Sequence, residues 1–588
     1  MSDITNRKVQ VILDRHKKME QEKQPWLKNY QKIGELVMTR KQSFTSNVQQ
    51  GEFVTSKIFS GEAGRANHIM ASTMLGALWP NGAKSIQIVP PDDLDPTAAE
   101  SQDVKDFYAE VTKRVVAAID NPLAGFATSL DEYMLDQGAF GISGVAVFET
   151  EDSEMPVRFE AVDAKKITIA ENKYGVVDTV YICKEMTIRQ LYQEYKEEIS
   201  ATSLAAFKNG KLEEKVKVLH AIEPRIDHII GGYGNANYPI ASIEIEMGQN
   251  KILRETGFHE MPVFVTRFWK AMGEIYGRSP AMELMPEIAE LNIQTELIIR
   301  AGEKQLNPPL LVAQECVVGN GTLNTSAGAI NVRRMSGRAE GASKAVETIV
   351  TIGELQSTYK RIDTLTEIVK DGFFQDRLAG LDNEQRMTLG EANIRNDIRG
   401  QTLGNIYSRQ IIELFSPLIT RVFNILLGRD MFGVPAKSQI AVAAQAMGIV
   451  IPTIPDAVIE LMKHGKEAYK VVFISPAARI MRREELKGIS EMLGAAERVG
   501  PLAPDFLDNY DMDNIARNLQ DLHGAPANCI RSMEKVKEIR DARAQAQQQQ
   551  NQIAMAQAQA EIAKTTSQAA QHATKAGLDP NMLAQGAA

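Results

Sequence analysis

The residue pairs that could do chemistry each stop short of a reaction centre. Gly141-Ile142-Ser143-Gly144 misses by one residue the G-x-S-x-G turn that presents a serine nucleophile, and reads as a tight helix-to-strand turn. His259-Glu260 opens an H-E-x-x-H pattern, but Val263 stands where the second histidine would be. No G-x-x-x-x-G-K-[ST] occurs, so Gly231-Gly232 and Gly319-Asn320-Gly321 read as loop glycines rather than phosphate cradles. The eight histidines are scattered, and Asp92-Asp93 and Glu151-Asp152 read as solvated turns. Cys183, Cys316 and Cys529 lie far apart and outside any C-x-x-C pair. Neither a zinc site nor a disulfide framework is expected, and a reducing compartment such as a bacterial cytoplasm fits. No enzymatic activity, cofactor or metal is predicted.

Two charged clusters remain. Arg333, Arg334, Arg338 and Lys344 form a basic group in a Gly/Ser/Asn-rich insert. It reads either as a solvated loop or as a contact for DNA or an acidic partner. The stretch from Phe374 to Arg386 carries Asp376, Arg377, Asp382, Glu384 and Arg386 between two helical patterns, which argues against burial.

The elements that position these clusters are mainly helices. Ser279-Pro280 caps a helix that runs to about Gln305, with Pro286 opening its long part. That part spans roughly 30 Å. A second helix over 352–373 places Ile352, Leu355, Tyr359, Ile362, Leu365, Val369 and Phe373 on one face. Thr388 and Glu391 form a capping box for a third helix of roughly 60 Å, with a kink at Ser416-Pro417 and Gly428 closing it. The first 270 residues or so read as a mixed α+β region. Its helices lie over 3–40 (with a break or a second helix start at Pro25-Trp26), 64–80, 101–121, 127–140 and 187–196. Its strands lie over 85–89, 145–148, 157–162, 166–170, 176–184, 215–223, 240–247 and 263–267. Residues 436–535 read as further helices. The Gln/Ala-rich tail from Arg540 to Ala576 favours helix but has little apolar surface to bury alone.

With 588 residues, several cores are expected. The composition, 44% hydrophobic and 24% charged, is that of a globular chain. No uninterrupted apolar run reaches 18 residues, so no membrane-spanning helix is expected, and the polar N-terminus shows no signal peptide. A net charge of −9 disfavours a dedicated nucleic-acid binder, yet suits a surface along which DNA slides with few phosphate contacts.

The order of these parts resembles phage portal proteins, the head-to-tail connectors of short-tailed bacteriophages. Gly64 to Pro80 is similar to that family's early helix ending in Leu-[Phe/Trp]-Pro. Tyr276-Gly277-Arg278-Ser279 with Leu291-Asn292 is similar to its first stem helix. Arg386-Met387-Thr388-Leu389-Gly390-Glu391-Ala392 is similar to the start of its spine helix, and Pro476 to Ala527 to its C-terminal helical part. The similarity covers about residues 1–540, and its strength is the correct serial order.

The resemblance implies an α+β, predominantly helical portal fold. Residues 1–280 and 388–480 would form the wing, 281–306 and 351–373 the stem, 307–350 the clip and 374–387 a channel-facing tunnel loop. Residues 481–535 would form the crown, and 536–588 a helical barrel or a flexible tail. It also implies a ring, a dodecamer by family habit, at one capsid vertex of the virion, assembled in the host cytoplasm. The implied partners are further copies of the chain, the major capsid and scaffolding proteins, the terminase large subunit, a tail adaptor, and double-stranded DNA passing through without sequence specificity; no membrane is implied. Two other readings stay open. One is another ring-forming virion protein, an adaptor or an ejection protein. The other is a DNA-processing enzyme, disfavoured by the missing phosphate and metal motifs.

Overall fold

The computed structural model describes residues 2–41, 43–45, 58–80, 85–99, 101–226, 228, 237–313, 324, 326–333, 346–348, 356–375, 403–435, 453–463, 468–499, 510–523, 531 and 533–575. In chain order the elements are α1 (Ser2–Leu36), α2 (Glu62–Leu78), β1 (Ile86–Val89), α3 (Pro96–Ala99), α4 (Gln102–Ile119), α5 (Phe126–Phe140), β2 (Ile142–Glu149), β3 (Val157–Val162), β4 (Ile167–Glu171) and β5 (Val177–Thr187). Next come α6 (Ile188–Tyr195), α7 (Ala201–Lys208), β6 (Lys215–Pro224), β7 (Ile240–Glu246), β8 (Lys251–Phe258) and β9 (Val263–Arg267). These are followed by α8 (Pro280–Glu283), α9 (Met285–Leu306), β10 (Leu310–Ala313), β11 (Ile330–Arg333), β12 (Val346–Thr348) and α10 (Gln356–Gly372). A 26-residue helix, α11, covers Leu403–Gly428. Further helices cover Asp456–Lys463, Pro476–Met481, Arg483–Val499, Met512–His523 and Met533–Lys575.

The chain divides into two compact units. The first holds Met1–Gln87, Val111–Gly433 and Val471–Ile515; the second holds Ile88–Glu110, Val434–Lys470 and Ala516–Ala588. In the first, strands β4 to β8 form an antiparallel five-stranded meander, and β3-β2-β9 form a separate three-stranded sheet. Val9, Ile12 and Met19 of α1 pack on Tyr181, Leu219, Ile243 and Ile245 of the meander. Local signals decide many boundaries. Thr187 and Gln190 close a capping box on α6. Gly175 takes φ 76° in the turn between β4 and β5, and Asn172 accepts the N–H of Tyr174 and Val176.

Pro25 does not break α1, contrary to the sequence expectation. Contacts on either side of the proline hold the helix together. The buried Lys23 ammonium donates to the carbonyls of Ala164 (2.6 Å), Lys165 (2.9 Å) and Ile167. Trp26 packs against Tyr276 at 5.8 Å and Tyr30 at 6.5 Å. These contacts offset the one helix hydrogen bond that proline removes. Other elements lay outside the sequence reading. They are α3, α7, β8, the strands Val434–Pro435, Thr453–Ile454 and Lys470–Phe473 (the last two in a region read as helical), and the small sheet β11-β10-β12 that forms the described part of the insert.

No membrane-spanning helix was expected, and one described helix, α11, has the length and composition of a span. Its mean hydropathy is 1.6 over its most apolar stretch. Half of that stretch is buried in the protein. Leu414, Phe415, Leu418, Ile419, Val422 and Leu426 are all core residues, and Arg421 donates to the Val147 carbonyl of β2 at 2.9 Å. The helix is therefore apolar because it is a core helix. The kink expected at Ser416-Pro417 appears as a π turn just before it, at Ile411–Phe415. At the C-terminal end Asp430, not Gly428, takes the left-handed conformation, with φ 55°. Pro286 is the second residue of α9 rather than the first. The capping residues Thr388 and Glu391 lie outside the described residues.

In the second unit, the parallel pair Val434–Pro435 and Thr453–Ile454 precedes helix Asp456–Lys463. The Gln/Ala-rich tail, as far as Lys575, lies in one helix of 43 residues, Met533–Lys575, whose described side chains are almost all exposed.

His220 gives the meander a pH-dependent stability. Its Nε2 lies 2.8 Å from Ser242 Oγ, and burial pushes its pKa down to about 4. The unfolded chain takes up this proton near pH 6.5, while the folded chain stays neutral until about pH 4. The contribution of His220 to stability therefore falls as pH drops through that window, by about 3 kcal/mol. Asp136 works in the opposite direction. Burial raises its pKa to about 6 even though Lys41 approaches it at 2.7 Å, so its protonation favours the folded state as pH falls below that value. Urea unfolding at pH 7 and pH 4.5 is expected to show a smaller acid loss for His220→Gln than for the parent chain. Equal losses would refute the assignment to His220.

Candidate assembly surface on the helical hairpin

The hairpin α9–α10 stands on a crossing of two backbones. Gly141 ends α5 with φ 73°, and Gly277 lies directly against it. A Cβ on Gly277 would sit 2.1 Å from the Gly141 carbonyl oxygen, and one on Gly141 would sit 2.5 Å from the Arg278 carbonyl carbon. This contact accounts for two motifs at once. The near-elbow at Gly141-Ile142-Ser143-Gly144 is the helix-to-strand turn expected from the sequence, and Tyr276-Gly277-Arg278-Ser279 is the segment that crosses it. The N–H of Phe268 donates to the Gly141 carbonyl at 2.9 Å, and Arg278 bridges to Trp269 in both directions. Ser279, fully buried, donates to the Ala139 carbonyl at 2.7 Å and accepts the Met282 N–H at 3.0 Å. It is thus both an N-cap for α8 and a tether to α5.

From this base α9 rises with one face inward. Ile288 and Leu291 are buried, and the Asn292 side-chain oxygen accepts the N–H of Phe59 (2.8 Å) and Ser60 (3.2 Å). The polar residue in Leu291-Asn292 therefore fixes an N-terminal loop to the hairpin. On α10 the expected stripe is buried only towards the base. Leu365, Val369 and Phe373 are buried and Ile362 is half-buried, whereas Tyr359 is exposed. Ile352 and Leu355 lie outside the described residues. A bidentate pair, Arg361 to Glu290 at 2.8 Å twice, ties the two helices. It holds the Glu290 carboxyl below the usual range.

On the side of α9 opposite Ile288 and Leu291, two apolar side chains are exposed among the described residues. Ile293 and Leu297, one turn apart, are each 53% exposed. Below them, Met285 and Met282 lead into an open groove of about 370 Å³ shared with Pro25, Trp26 and Ile33. Further up the hairpin Ile299 and Leu306 are also exposed. Ile299 and Leu306 lie on the Ile288 side of α9, so Ile293 and Leu297 form an exposed apolar pair rather than a continuous strip, and such a pair is a candidate surface for association.

At the foot of α10, Phe373 and Phe374 are buried, and Phe374 packs on Trp269 at 6.0 Å. The charged segment assigned to 374–387 therefore begins on a packed anchor, a correction to the expectation that all of it is exposed. Asp376, Arg377, Asp382, Glu384 and Arg386 lie outside the described residues. So do Arg334, Arg338 and Lys344; Arg333 ends β11, paired with Ala313 of β10.

An ion cluster that the sequence reading missed joins the sheet to α11. Arg267, with its side chain 3% exposed, binds Glu171 and lies 2.8 Å from a Glu413 carboxylate oxygen, while Lys270 binds Glu171 at 2.6 Å. Its members come from β4, β9, the loop after β9, and α11. No local spacing in the sequence could have indicated it.

The two-helix hairpin thus sits on an α+β base and leaves Ile293 and Leu297 exposed. The chain belongs to the bacteriophage head to tail connecting protein family, whose pattern matches residues 9–530. It is 25% identical over 558 residues to a probable portal protein of Bordetella phage BPP-1, covering 92% of each chain. It is also 25% identical over 535 residues to a portal protein of Salmonella phage epsilon15, covering 89% of each.

Proposed function

We propose that this chain is a phage portal protein, a ring at one capsid vertex through which double-stranded DNA enters during packaging and leaves at ejection. The observation that carries the reading is the match to portal proteins along nearly the whole chain. The exposed apolar pair on α9 supports it physically, because a ring gives every copy a neighbour on each side. By this reading α9 and α10 are the stem and the β10–β12 region is the clip. Residues 374–387 face the channel as a tunnel loop, and Arg333, Arg334, Arg338 and Lys344 form a basic edge of the clip. The capsid and scaffolding proteins, the terminase large subunit and a tail adaptor are its partners, with assembly in the host cytoplasm. The protein has no active site of its own.

The tail helix fits a place in the ring. The alternating alanines Ala554, Ala556, Ala558 and Ala560 fall on two opposite flanks of a helix, not on one stripe. A helix in a closed barrel needs small residues on both flanks, since it meets a neighbour on each. Neighbours in a ring also raise the local concentration of tails greatly.

Cryo-electron microscopy of the purified chain tests these assignments together. Rings of about twelve subunits are expected, with an axial hole bordered by residues 374–387 and a helical barrel built from the tail. Monomers alone, at all concentrations and salts, would exclude the portal reading. A ring without a barrel would leave the tail as a flexible appendage. A ring lacking the tunnel loop at its hole would point to an adaptor-like protein.

A further inference from the structure

Helix α11 buries a glutamine and exposes an isoleucine. Gln410 is fully buried, and Ile412 is 67% exposed. This is the reverse of what apolar burial favours. The Gln410 side-chain oxygen accepts the Tyr133 hydroxyl, but its amide nitrogen has no hydrogen-bond partner among the described residues. A buried amide left in that state is a cost to the fold.

The π turn is the cause. The N–H of Ser416 reaches back five residues to the Ile411 carbonyl, so the turn holds one residue more than an α turn. Upstream of it Leu403, Ile406, Tyr407 and Gln410 face the core. If the helix ran back from Ser416 without the extra residue, Gly404, Tyr407, Ser408 and Ile411 would take those places. Ile411 would then lie against Tyr133, and Gln410 would be released towards solvent.

The observed register keeps Leu403 and Tyr407 in the core where the other would put Gly404 and Ser408, and Glu413 adds a charged pair to that gain. Its carboxylate accepts the Arg267 backbone N–H at 3.0 Å and the Arg267 guanidinium at 2.8 Å. Arg267 is buried, and without Glu413 its one remaining carboxylate among the described residues would be Glu171, which Lys270 shares. Pro417 lowers the cost of the turn without fixing it, because it lacks the N–H that an α-helix would direct to the Glu413 carbonyl.

We propose that α11 is a two-register helix, held with its π turn by the Glu413–Arg267 pair, and that loss of this pair shifts Leu403–Gln410 by one residue. The shift amounts to about 1.5 Å along the axis and about 100° around it. In a portal it would couple the α+β base to the chain entering α11. That use rests on the portal reading, whereas the two registers do not.

Cryo-electron microscopy maps of the full-length Glu413→Gln and Pro417→Ala variants, read at side-chain level from Leu403 to Gly428, test the proposal. Glu413→Gln is expected to show an uninterrupted α-helix with Ile411 against Tyr133, and Pro417→Ala to keep the π turn. A π turn retained in Glu413→Gln overturns the proposal, as does one lost in Pro417→Ala while Glu413 still holds Arg267. If Glu413→Gln does not accumulate folded, amide exchange of the parent chain decides. Exchange at Ile411–Phe415 about tenfold faster than at Leu418–Leu426 supports a weakly held turn, and equal protection overturns it. The register is read within one chain, so the result stands whether or not rings form.

Discussion

Changing Ile293 and Leu297 together to aspartate is expected to abolish ring formation while leaving each chain folded. Both side chains are half exposed on the side of α9 away from the buried Ile288 and Leu291, so the single chain loses little. Surface changes of this kind alter stability by about 0.5 kcal/mol or less. In the ring proposed above the same face would be covered, and each buried carboxylate without a partner costs about 2 kcal/mol. Two of them weaken each contact by about a thousandfold. The cost recurs at every interface of a closed ring, so partial assembly is not expected either. Mass photometry should show monomers where the parent chain shows rings, and thermal unfolding of the monomer should be unchanged. Rings of the double variant at the parent's concentration threshold would mean that this pair is not at an interface.

The second large effect is expected at the glycine crossing. Gly277→Ala would place a methyl group 2.1 Å from the Gly141 carbonyl oxygen and 2.8 Å from the Arg267 Cβ. Gly141→Ala would add backbone strain at φ 73° to a contact of 2.5 Å. In both cases the obstacle includes backbone, which cannot rotate aside. Overpacking of this kind is expected to cost about 4 kcal/mol or more, a large part of a typical domain's 5–15 kcal/mol, roughly. Little soluble protein should accumulate from either variant. Gly76→Ala is the contrast. Gly76 lies in α2 with nothing within 4 Å of an added Cβ, so a gain of about 0.5–1 kcal/mol is expected there. Urea midpoints that rank the three substitutions alike would show that the crossing is looser than its geometry implies.

Much of the secondary structure was legible in the sequence, because its signals act over one turn of chain. Thr187 and Gln190 cap their helix whatever surrounds them. Asn172 and Gly175 shape their own hairpin, and Ser279-Pro280 starts a helix through its own hydroxyl and fixed φ. The spacing of Leu365, Val369 and Phe373 marked a buried face, and the serial order of motifs pointed to the family. The β8 strand was missed because Lys251, Arg254, Glu255 and Thr256 break the apolar alternation. What holds it is pairing with β7 rather than its own composition. The strands of the insert were missed for a similar reason, being short and spread along a loop-like composition.

The tertiary structure alone decided which distant groups meet. Gly141 and Gly277 touch at a point no spacing rule connects, and Asn292 finds its partners at Phe59 and Ser60. Arg267 gathers Glu171 and Glu413 from two other elements. Pro25 stays inside a helix because Lys23 and Trp26 are anchored on other segments, and Gln410 lies inside while Ile412 lies outside. The exposure of Ile293 and Leu297 could be identified only once the rest of the chain was in place. Local propensity depends on neighbours three or four residues away. Close approach, burial of charge and exposure of an apolar pair depend on the whole chain being packed.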